Sequence, residues 1–496
     1  MAAINYDYIL KYRIQAKLTQ PLHVGSGAGS NEEVLIHPVM GNPFVQAAGI
    51  AGPFRAYYAA GRTVKQVGDV FGISGEDLPP VPEKKKGGGG QSVNPETAAD
   101  VTEVSQKTTN VKFVRADDVE SRICFTDGIF ITEPKMELRP HVKIDPVSGT
   151  VASEGSGGQK FNTEYIGAGA TVEFFIYLYG MEAEAQADET MVTDMLNAIN
   201  AKDVQFGGMK SAGCGFMEIE KAAVYRFNMK KDVDRNNWKR EDQLLIDEYD
   251  PLTLDDSGKN SSAAYTITVS GKTDGSMLIK SIAVPEVGED APDSMNIRNA
   301  ALEYIVPGSS LKGAIKNRIE IILAYLKQKG AVSDSEKLVI DAFGGKEAAR
   351  SKEERYTGRS GNLRFSDTKI GQKEDNDMAP LQHRIHIDKF TGGVMHGGKF
   401  SQKNIAGDFV MEIKIIDKNN PDVTCALLVL ALRDLMIGAF NLGSGYNIGH
   451  GFVDIDKVEI KAGNGECAEI TKNGVTDGNN IIADCLKALS SGKEAS

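Results

Sequence analysis

The second half of the chain alternates apolar and polar residues in two stretches, which is the pattern of a half-buried β-strand. These stretches are Tyr265 to Val269 and Phe452 to Ile460. Between them, apolar residues recur at helical spacing and predict a helix; they are Leu311, Ile315, Ile319, Ile322 and Leu326. Ser309 or Ser310 precedes this run and is expected to cap the helix. Residues 425–440 predict a second helix.

Five short segments recur in the same order in the two halves of the chain, separated by 236 to 272 positions. A repeat of this length that keeps its order indicates a tandem duplication. The alternative is two unrelated α+β domains of similar composition. The matching pairs are residues 45–55 with 306–316, 69–72 with 341–344, 123–127 with 363–367, 143–151 with 386–394 and 206–220 with 442–456.

Each half reads as a strand, a glycine-containing loop, a helix, several strands, a second helix, and a glycine loop before a final strand. This order predicts an α+β fold of two tandem ferredoxin-like (RRM-like) modules with large loop insertions. Such a sheet is also the platform that RNA-recognition modules use. We expect a first module at 1–235 with a flexible, low-complexity insertion at about 75–110. A linker at 236–262, a second module at 263–465 and a polar tail at 466–496 follow.

Composition narrows the classes of function. The chain has 496 residues and a formal net charge of −12, and affinity for phosphates comes mainly from Lys and Arg. Any RNA site must therefore be a local basic strip, for which residues 346–369 are a candidate. The five cysteines include no C-x-x-C pair, which argues against a disulfide framework and a structural zinc site. Without a signal peptide or a membrane-length apolar run, we expect a cytoplasmic protein with no membrane partner.

Two glycine-rich segments superficially resemble nucleotide-binding loops, but neither has the sequence context that such loops require. Gly443 to Gly451 follows a helix and opens a strand, whereas a dinucleotide fingerprint follows a strand and opens a helix. Gly25 to Ser30 lacks the Lys-Ser/Thr ending of a phosphate-binding loop. Glycines before a final strand instead allow a partner chain to approach the backbone closely, and RNA is the partner we expect.

Three motifs in the second half resemble those of the RAMP superfamily. Residues 305–313 (IVPGSSLKG) resemble its helix-opening motif, and residues 443–451 resemble its glycine-rich C-terminal motif. Residues 384–393 resemble the central segment of backbone subunits of type III CRISPR effector complexes. The first half keeps this layout but replaces the helix opener with residues 46–52 (QAAGIAG), so its assignment depends on the repeat. Two fused modules are similar to the fused backbone proteins of subtype III-D.

The resemblance implies a subunit that binds the backbone of a guide crRNA and cleaves the paired target RNA by metal-dependent endonucleolysis. Base pairing would then supply sequence specificity, while the protein contacts backbone and shape. The implied partners are the guide crRNA, the target RNA and other subunits of the effector. Those subunits are further backbone RAMP proteins, a large polymerase- or cyclase-like subunit and a small subunit. The alternatives are a non-catalytic structural subunit and a CRISPR precursor-RNA processing endonuclease.

The family's cleaving aspartate lies in the loop between the first strand and the helix opener, and Asp293 occupies that place here. A carboxylate there can hold Mg²⁺ or another divalent cation, or deprotonate the ribose 2′-OH. Glu289 and Asp290 are neighbours that could share the metal. The equivalent loop of the first half has no aspartate, and Glu32 and Glu33 stand closest by spacing. Whether the first module cleaves is thus open, and a solvated acidic loop is the alternative for all five residues.

Basic residues, hydroxyls and glycines around these motifs are the predicted RNA contacts. If residues 381–388 form a strand, Arg384, His386 and Asp388 share one face, and His383 lies on the other. A solvated charged surface is the alternative interpretation. In the second module the predicted contacts are Arg298, Ser309, Ser310, Lys312, Lys316, Arg355, Arg359, Arg384, His386, Gly443, Gly445, Tyr446, Gly449 and His450. In the first module they are Arg55, His141, Lys143, Gly207, Gly208, Lys210 and Gly213.

Overall fold

A computed structural model gives the architecture of the chain. It describes residues 6–25, 33–74, 81–82, 113–114, 119–142, 144, 153–154, 157–158, 160–255, 262–281, 292–346, 358–371, 381–416 and 420–491. Nearly all of the predicted insertion at about 75–110 lies outside these residues, as do Glu32, Lys143, Glu289, Asp290 and Arg355. Within the described part of the chain, no helix is long and apolar enough to cross a membrane.

The first module is built on an antiparallel sheet with the first strand of the chain at its centre. In spatial order the strands are β13 (Asp250–Pro251), β12 (Met217–Asn228), β1 (Tyr8–Leu18), β11 (Thr171–Gly180), β6 (Gly128–Phe130) and β2 (Phe44–Val45), with β5 (Ile123–Phe125) also paired to β11. Its helices are α1 (Ala47–Ala59), α2 (Val64–Phe71) and α3 (Ala185–Asn200). Their apolar side chains share one core with the sheet, so all three helices cover the same face.

The second module repeats this arrangement. Its strands, in spatial order, are β16 (Ile305–Val306), β20 (Thr368–Gly371), β23 (Asp408–Ile415), β14 (Tyr265–Asp274), β24 (Phe452–Ala462), β25 (Cys467–Thr471) and β26 (Gly474–Thr476), with β19 (Leu363–Phe365) also paired to β23. Its helices are α5 (Gly308–Gln328), α6 (Ser335–Phe343), α7 (Pro421–Met436) and α8 (Ile481–Ser491). They too share a single core with the sheet.

Strand pairs outside the two main sheets complete the fold. The first hairpin pairs β7 (Met136–Val142) with β10 (Lys160–Ile166). The second hairpin pairs β21 (Gln382–Ile387) with β22 (Val394–Lys403), and β15 (Ser294–Met295) runs parallel to the end of β22. The shorter elements are β3 (Val81–Pro82) with β4 (Phe113–Val114), β8 (Ser153–Glu154) with β9 (Gly157–Gly158), β17 (Gly344–Lys346) with β18 (Gly358–Ser360), and helix α4 (Asp232–Trp238).

Strand order and register confirm two tandem ferredoxin-like modules of the α+β class. In each sheet the last core strand lies beside the first, and the first lies beside the strand that precedes the last helix of the core. The pairing of first and last strand shifts register once in each module, between Gln15 and Ala16 and between Ser270 and Gly271. A β-bulge is a specific backbone feature, so its recurrence at the same place supports duplication.

The two principal helices begin differently from the sequence expectation. Helix α5 starts at Gly308 with Pro307 as its N-cap, and neither Ser309 nor Ser310 caps it. The Gly308 amide instead donates to Asp367 Oδ1 at 2.9 Å. In the first module the Ala47 amide donates to Asp127 Oδ1 at 2.7 Å. In both modules a carboxylate from the short turn between two distant strands therefore accepts from the first amide of the helix, and its negative charge is favourable near the positive end of the helix dipole.

Parts of the predicted linker and of the predicted tail pack against the two modules. Within 236–262, β13 pairs with β12, and Trp238, Leu244 and Tyr249 form a small apolar cluster against the sheet face opposite the helices. In the tail, helix α8 places Ile481 and Leu489 in the core of the second module. The sheet face that RNA-recognition modules leave open is thus covered in the first module by its own chain.

Candidate nucleic-acid interface

Asp293 is held in a defined position directly before β15. Its Oδ2 accepts hydrogen bonds from the backbone N of Ser401 at 2.6 Å and from the Ser401 hydroxyl at 3.1 Å. These two bonds, with a smaller contribution from the charge of His383, lower the pKa of the Asp293 carboxyl. The side chain is exposed. The site therefore presents an ionised, oriented carboxylate to solvent.

His450 connects the glycine loop to the second hairpin. Its Nδ1 lies 2.6 Å from the hydroxyl of Ser276, and its Nε2 contacts the guanidinium of Arg384. Burial, followed by the charge of Arg384, lowers the pKa of His450. A neutral imidazole can accept from Arg384 at Nε2 and donate to Ser276 from Nδ1, which fits both contacts. This arrangement brings together Arg384 and His450, two of the predicted RNA contacts.

The second hairpin agrees with the predicted strand at 381–388 except at its end. The strand stops at Ile387, and Asp388 lies in the turn, where its Oδ1 accepts from the amides of Phe390 and Thr391 at 2.8 Å each. The expectation that Asp388 shares a strand face with Arg384 is therefore wrong, because its carboxylate is committed to the turn. His386 is on the strand and exposed.

Exposed apolar side chains on this hairpin are functional candidates that the sequence analysis missed. Phe390 at the tip is 86% exposed, and the Lys389 ammonium lies 5.0 Å from the centre of its ring. Aromatic rings beside cations are suited to stacking on bases near a phosphate backbone. The signal available in the sequence was the Phe-Thr-Gly-Gly turn at 390–393. The other exposed apolar residues here are Ile385, Ile387, Val394, Met395 and Phe400.

Several predicted contacts instead lie where the two modules meet. We name residues 207–215 the first loop and residues 443–451 the second loop. The first loop packs on the helix-start face of the second module, which consists of residues 308–312 and 363–367. A Cβ atom placed on Gly213 would overlap the carbonyl oxygen of Phe365, so only glycine fits there. From the sequence we expected RNA to make this close approach, but at Gly213 the second module makes it.

Polar contacts at this junction leave an excess of positive charge. Lys312 Nζ donates to the Ser211 hydroxyl at 2.7 Å, and Arg364 Nε donates to Gln205 Oε1 at 2.8 Å. Burial, with the charges of Lys316 and Arg364, lowers the pKa of Lys312 to about 8. Burial also lowers the pKa of Arg364 to about 10. These cations have neutral oxygens as hydrogen-bond acceptors, so an anion bound nearby would stabilise their charged forms.

A buried ion network connects the first hairpin to the second module. Arg139 Nη2 lies 2.5 Å from Glu137 Oε2 and 2.7 Å from Asp367 Oδ2. Burial opposes the charge of Arg139, but Asp367 and Glu137 outweigh it and raise its pKa. Glu137 Oε1 also accepts from the amide of Ala300 at 2.6 Å. The network unites the two modules, because each carboxylate has partners in both.

The remaining predicted contacts of the second module have local partners. Arg298 lies over the ring of Tyr304, with 4.3 Å from the guanidinium carbon to the ring centre. Arg359 Nη1 pairs with Asp341 at 2.9 Å, and Lys316 Nζ lies 3.8 Å from Glu320. Ser309 and Ser310 are half-buried in the first turn of α5, and Gly443, Gly445, Tyr446 and Gly449 lie in the second loop. RNA binding by these residues stays a prediction.

In the first module, the candidate carboxylate falls out of register with Asp293. The bridge between Gly25 and Val34 corresponds to the bridge between Lys280 and Asn296. Glu33, which is exposed, therefore matches Met295, and the position that matches Asp293 is Asn31, outside the described residues. Spacing in the sequence could not show this, because the two loops differ in length.

The other predicted contacts of the first module divide between its surface and its interior. His141 Nε2 lies 3.1 Å from the Tyr165 hydroxyl, and the imidazole stacks on Phe161 with 5.0 Å between ring centres. Burial, then the charges of Arg139 and His23, lower its pKa. Arg55 and Gly208 are exposed, whereas Gly207 and Lys210 are half-buried at the junction.

Comparison with known proteins shows which family and which solved structures the chain is similar to. A model of the RAMP superfamily matches residues 15–218 and 272–454, which are one region in each half and well over half of the chain. Among solved structures, the chain is similar to a chain of a cryo-EM structure of the Type III-B Cmr-beta bound to cognate target RNA, at 14% identity and a TM-score of 0.28. The match covers 44% of this chain and 61% of that one. Among curated proteins, none matches.

Proposed function

The chain belongs to the RAMP superfamily, and from that premise we propose that it is a subunit of a type III CRISPR effector complex. In this role it binds the backbone of the guide crRNA and cleaves the paired target RNA at Asp293. Its partners are those two RNAs and the other subunits of the effector, and its compartment is the cytoplasm. The observation that carries RNA binding is the excess of positive charge at the module junction, since phosphates supply the anion that it lacks.

Backbone binding follows from the kind of contacts that the junction offers. Lys312 and Arg364 are desolvated by the packing of the modules, which strengthens their attraction for an anion. Lys312 is only half-buried and contacts a neutral hydroxyl of the protein, so a phosphate can approach it without displacing a carboxylate. Such contacts position an RNA backbone without selecting a sequence, as expected where base pairing supplies specificity.

Cleavage rests on the oriented carboxylate of Asp293. No three His, Cys, Asp or Glu side chains within the described residues are grouped closely enough to hold a metal ion by themselves. Mg²⁺ is nevertheless commonly bound by one or two carboxylates together with water and substrate phosphates, so a single exposed aspartate fits such a site. When bound, the cation would neutralise charge on the scissile phosphate and activate the attacking oxygen.

The residues around Asp293 favour metal binding over general-base catalysis. A carboxyl whose pKa is lowered by two hydrogen bonds from Ser401 is a weak proton acceptor at neutral pH but a good ligand for a hard cation. Ser401 fixes the direction of Oδ2, which leaves Oδ1 for a ligand.

The test is Asp293→Asn in the assembled complex with a paired target RNA and Mg²⁺. Asp456→Asn is the matched control, because Asp456 is an exposed carboxylate of the same module on β24. We expect at least about a hundredfold slower cleavage at one site for Asp293→Asn, unchanged target binding, and normal cleavage for the control. Unchanged cleavage in Asp293→Asn would support a non-catalytic structural subunit.

The processing alternative requires a separate experiment. The isolated chain is incubated with a hairpin RNA of the CRISPR repeat, and the RNA ends are mapped. We expect no cleavage, because the proposed site needs an RNA paired to a guide. A discrete cut that Asp293→Asn leaves intact would instead identify a precursor-processing endonuclease with a different active site.

A further inference from the structure

The two glycine loops have the same backbone conformation. Gly213 and Gly449 occupy equivalent left-handed positions, with φ values of 82° and 81°. The backbone hydrogen bonds that shape the loops are also equivalent. They are Phe206 N to Gly215 O (3.0 Å) and Gly208 N to His23 O (2.8 Å) in the first loop, and Leu442 N to Gly451 O (2.8 Å) and Ser444 N to Leu278 O (2.9 Å) in the second.

The loops differ in what covers them. In the first loop Ala212 is buried against α5 of the second module. Its equivalent in the second loop is Ile448, which is 49% exposed, and the neighbouring Tyr446 is 57% exposed. A Cβ atom placed on Gly449 would have no described atom within 4 Å. The second loop is therefore a copy of a docking element without its docking partner.

An arginine from the adjacent hairpin accompanies each loop. Arg139 lies near Cys214 of the first loop and pairs with Asp367, the residue that caps α5. Arg384 contacts His450, which is the equivalent of Cys214 in the second loop. Arg384 is only half-buried and contacts the second loop through His450, two residues after the exposed Ile448. It is thus available to pair with a helix-capping aspartate of another module.

The helix-start face of the first module does not offer an equivalent surface. Ala51 and Cys124 replace Lys312 and Arg364, and Tyr177 replaces Lys414. These replacements remove the side chains that contact the first loop and the residues before it.

Residues 238–241 also cover the residue of the first module that replaces Lys414. The Tyr177 hydroxyl donates to Glu241 Oε2 at 3.0 Å, and its ring meets Trp238 edge-on with 6.0 Å between centres. A second copy of this chain therefore lacks the side chains through which the second module receives the first loop.

We propose that the second loop, with Arg384 beside it, docks on the helix-start face of a RAMP-type module in a different chain. That face consists of a helix opened by glycine, with its first amide capped by an aspartate that pairs with Arg384. The contact is one-directional, because the first module lacks the side chains that would receive a loop in the same way. The inference rests on the proposed subunit role, because that role supplies a different chain of the same superfamily.

The first experiment is photo-crosslinking within the complex purified through the tagged full-length chain. p-Benzoylphenylalanine replaces Ile448, and a control chain carries it in place of Val475, which is 59% exposed on β26. We expect position 448 alone to crosslink to a peptide around the glycine-opened helix of another RAMP subunit. A crosslink to RNA, a crosslink to a second copy of this chain, or no crosslink at position 448 would each overturn the proposal.

The second experiment distinguishes protein docking from RNA binding at the same surface. If the loop contacts protein, an arginine introduced at position 448 is buried without a partner and weakens the contact. If the loop faces RNA, the same arginine strengthens RNA binding. We expect Ile448→Arg to weaken recovery of the partner subunit at least about tenfold, while Val475→Arg has no effect. RNA binding by the isolated chain should be equal for both variants. Increased RNA affinity of Ile448→Arg alone, with normal subunit recovery, would contradict the proposal.

Light scattering tests whether the chain docks on a second copy of itself. Light scattering of the purified full-length chain should give a monomer of 53.4 kDa across the whole accessible concentration range. Concentration-dependent oligomers that Ile448→Arg abolishes would show that the chain docks on itself. These outcomes do not depend on cleavage, so a failure of Asp293 as the cleaving residue would leave them unchanged.

Discussion

The two modules have the same fold but differ in how much of their surface is covered by other parts of the chain. The first has its sheet covered by residues 232–251 and its glycine loop covered by the second module. The second presents an open loop, an exposed hairpin and the ionised carboxylate of Asp293. The duplication therefore preserved the residues that shape the chain, whereas the side chains that meet partners diverged. Placing the same substitution in each module separates these two kinds of residue.

The largest expected difference in the free energy of unfolding is between Gly213→Ala and Gly449→Ala. Both place a Cβ in a left-handed position, which costs about 1–2 kcal/mol. Only the first Cβ also overlaps the Phe365 carbonyl oxygen, so we expect Gly213→Ala to lower the free energy of unfolding by about 3–5 kcal/mol. Chemical denaturation of the full chain measures both. Equal losses in the two variants would show that the modules do not pack through the first loop.

The helix-capping aspartates provide a second comparison. Asp367→Asn should lower the free energy of unfolding by about 3 kcal/mol, because it leaves the buried Arg139 guanidinium without one of its charged partners. Asp127→Asn should cost less than about 1 kcal/mol, because this side chain is partly exposed and an amide oxygen can still accept from Ala47. Thermal and urea unfolding of both variants check this. A similar cost at both positions would contradict the burial of the network.

Aromatic residues of the two hairpins should differ in whether they contribute to RNA binding or to stability. Phe390→Ala should leave the free energy of unfolding within about 0.5 kcal/mol, since the ring is exposed at the turn. If the ring stacks on a base, the same variant should lose about 1–3 kcal/mol of RNA affinity. Phe161→Ala in the first hairpin should instead destabilise the fold, because its ring packs on His141. Filter binding with guide RNA and urea unfolding separate these effects.

The smallest expected effect is the pH dependence that Lys312 contributes. The pKa of Lys312 is about 8 in the folded chain and near its usual value of 10.5 when unfolded. Between these two values the unfolded state binds more protons, so stability rises with pH by about 1–3 kcal/mol and levels off above them. Lys312→Met should remove this rise. Ala51→Lys in the first module should add none, because that position on α1 is not covered by another module. Urea unfolding from pH 7 to pH 10.5 measures the difference.

Much of the fold could be predicted because it depends on local spacing. The alternation beginning at Tyr265 and the helical spacing after Leu311 locate β14 and α5, although both elements extend beyond the predicted segments. The predicted duplication is confirmed by the bulge that recurs in both sheets. Within the polar tail, the short amphipathic segment from Ile481 to Leu489 coincides with α8, but so short a pattern could not distinguish a helix packed in the core from a solvated one.

The candidate site was less accessible to prediction. Its aspartate was located from the resemblance to the RAMP superfamily, but Ser401, which orients Asp293, lies far away in sequence. Phe390 was missed because exposure of an aromatic residue depends on where the whole hairpin projects. Glu33 was assigned by counting residues, and counting fails where loops differ in length.

The sequence by itself determined the elements, the duplication and the family, because short-range patterns and motifs encode all three. Only the tertiary structure decided what each glycine loop meets. Gly213 and Gly449 have the same backbone conformation, yet Gly213 is pressed against Phe365 and a Cβ atom on Gly449 would have no described atom within 4 Å. A docking contact depends on surfaces that folding assembles from distant segments, so two loops of the same backbone shape can acquire different partners.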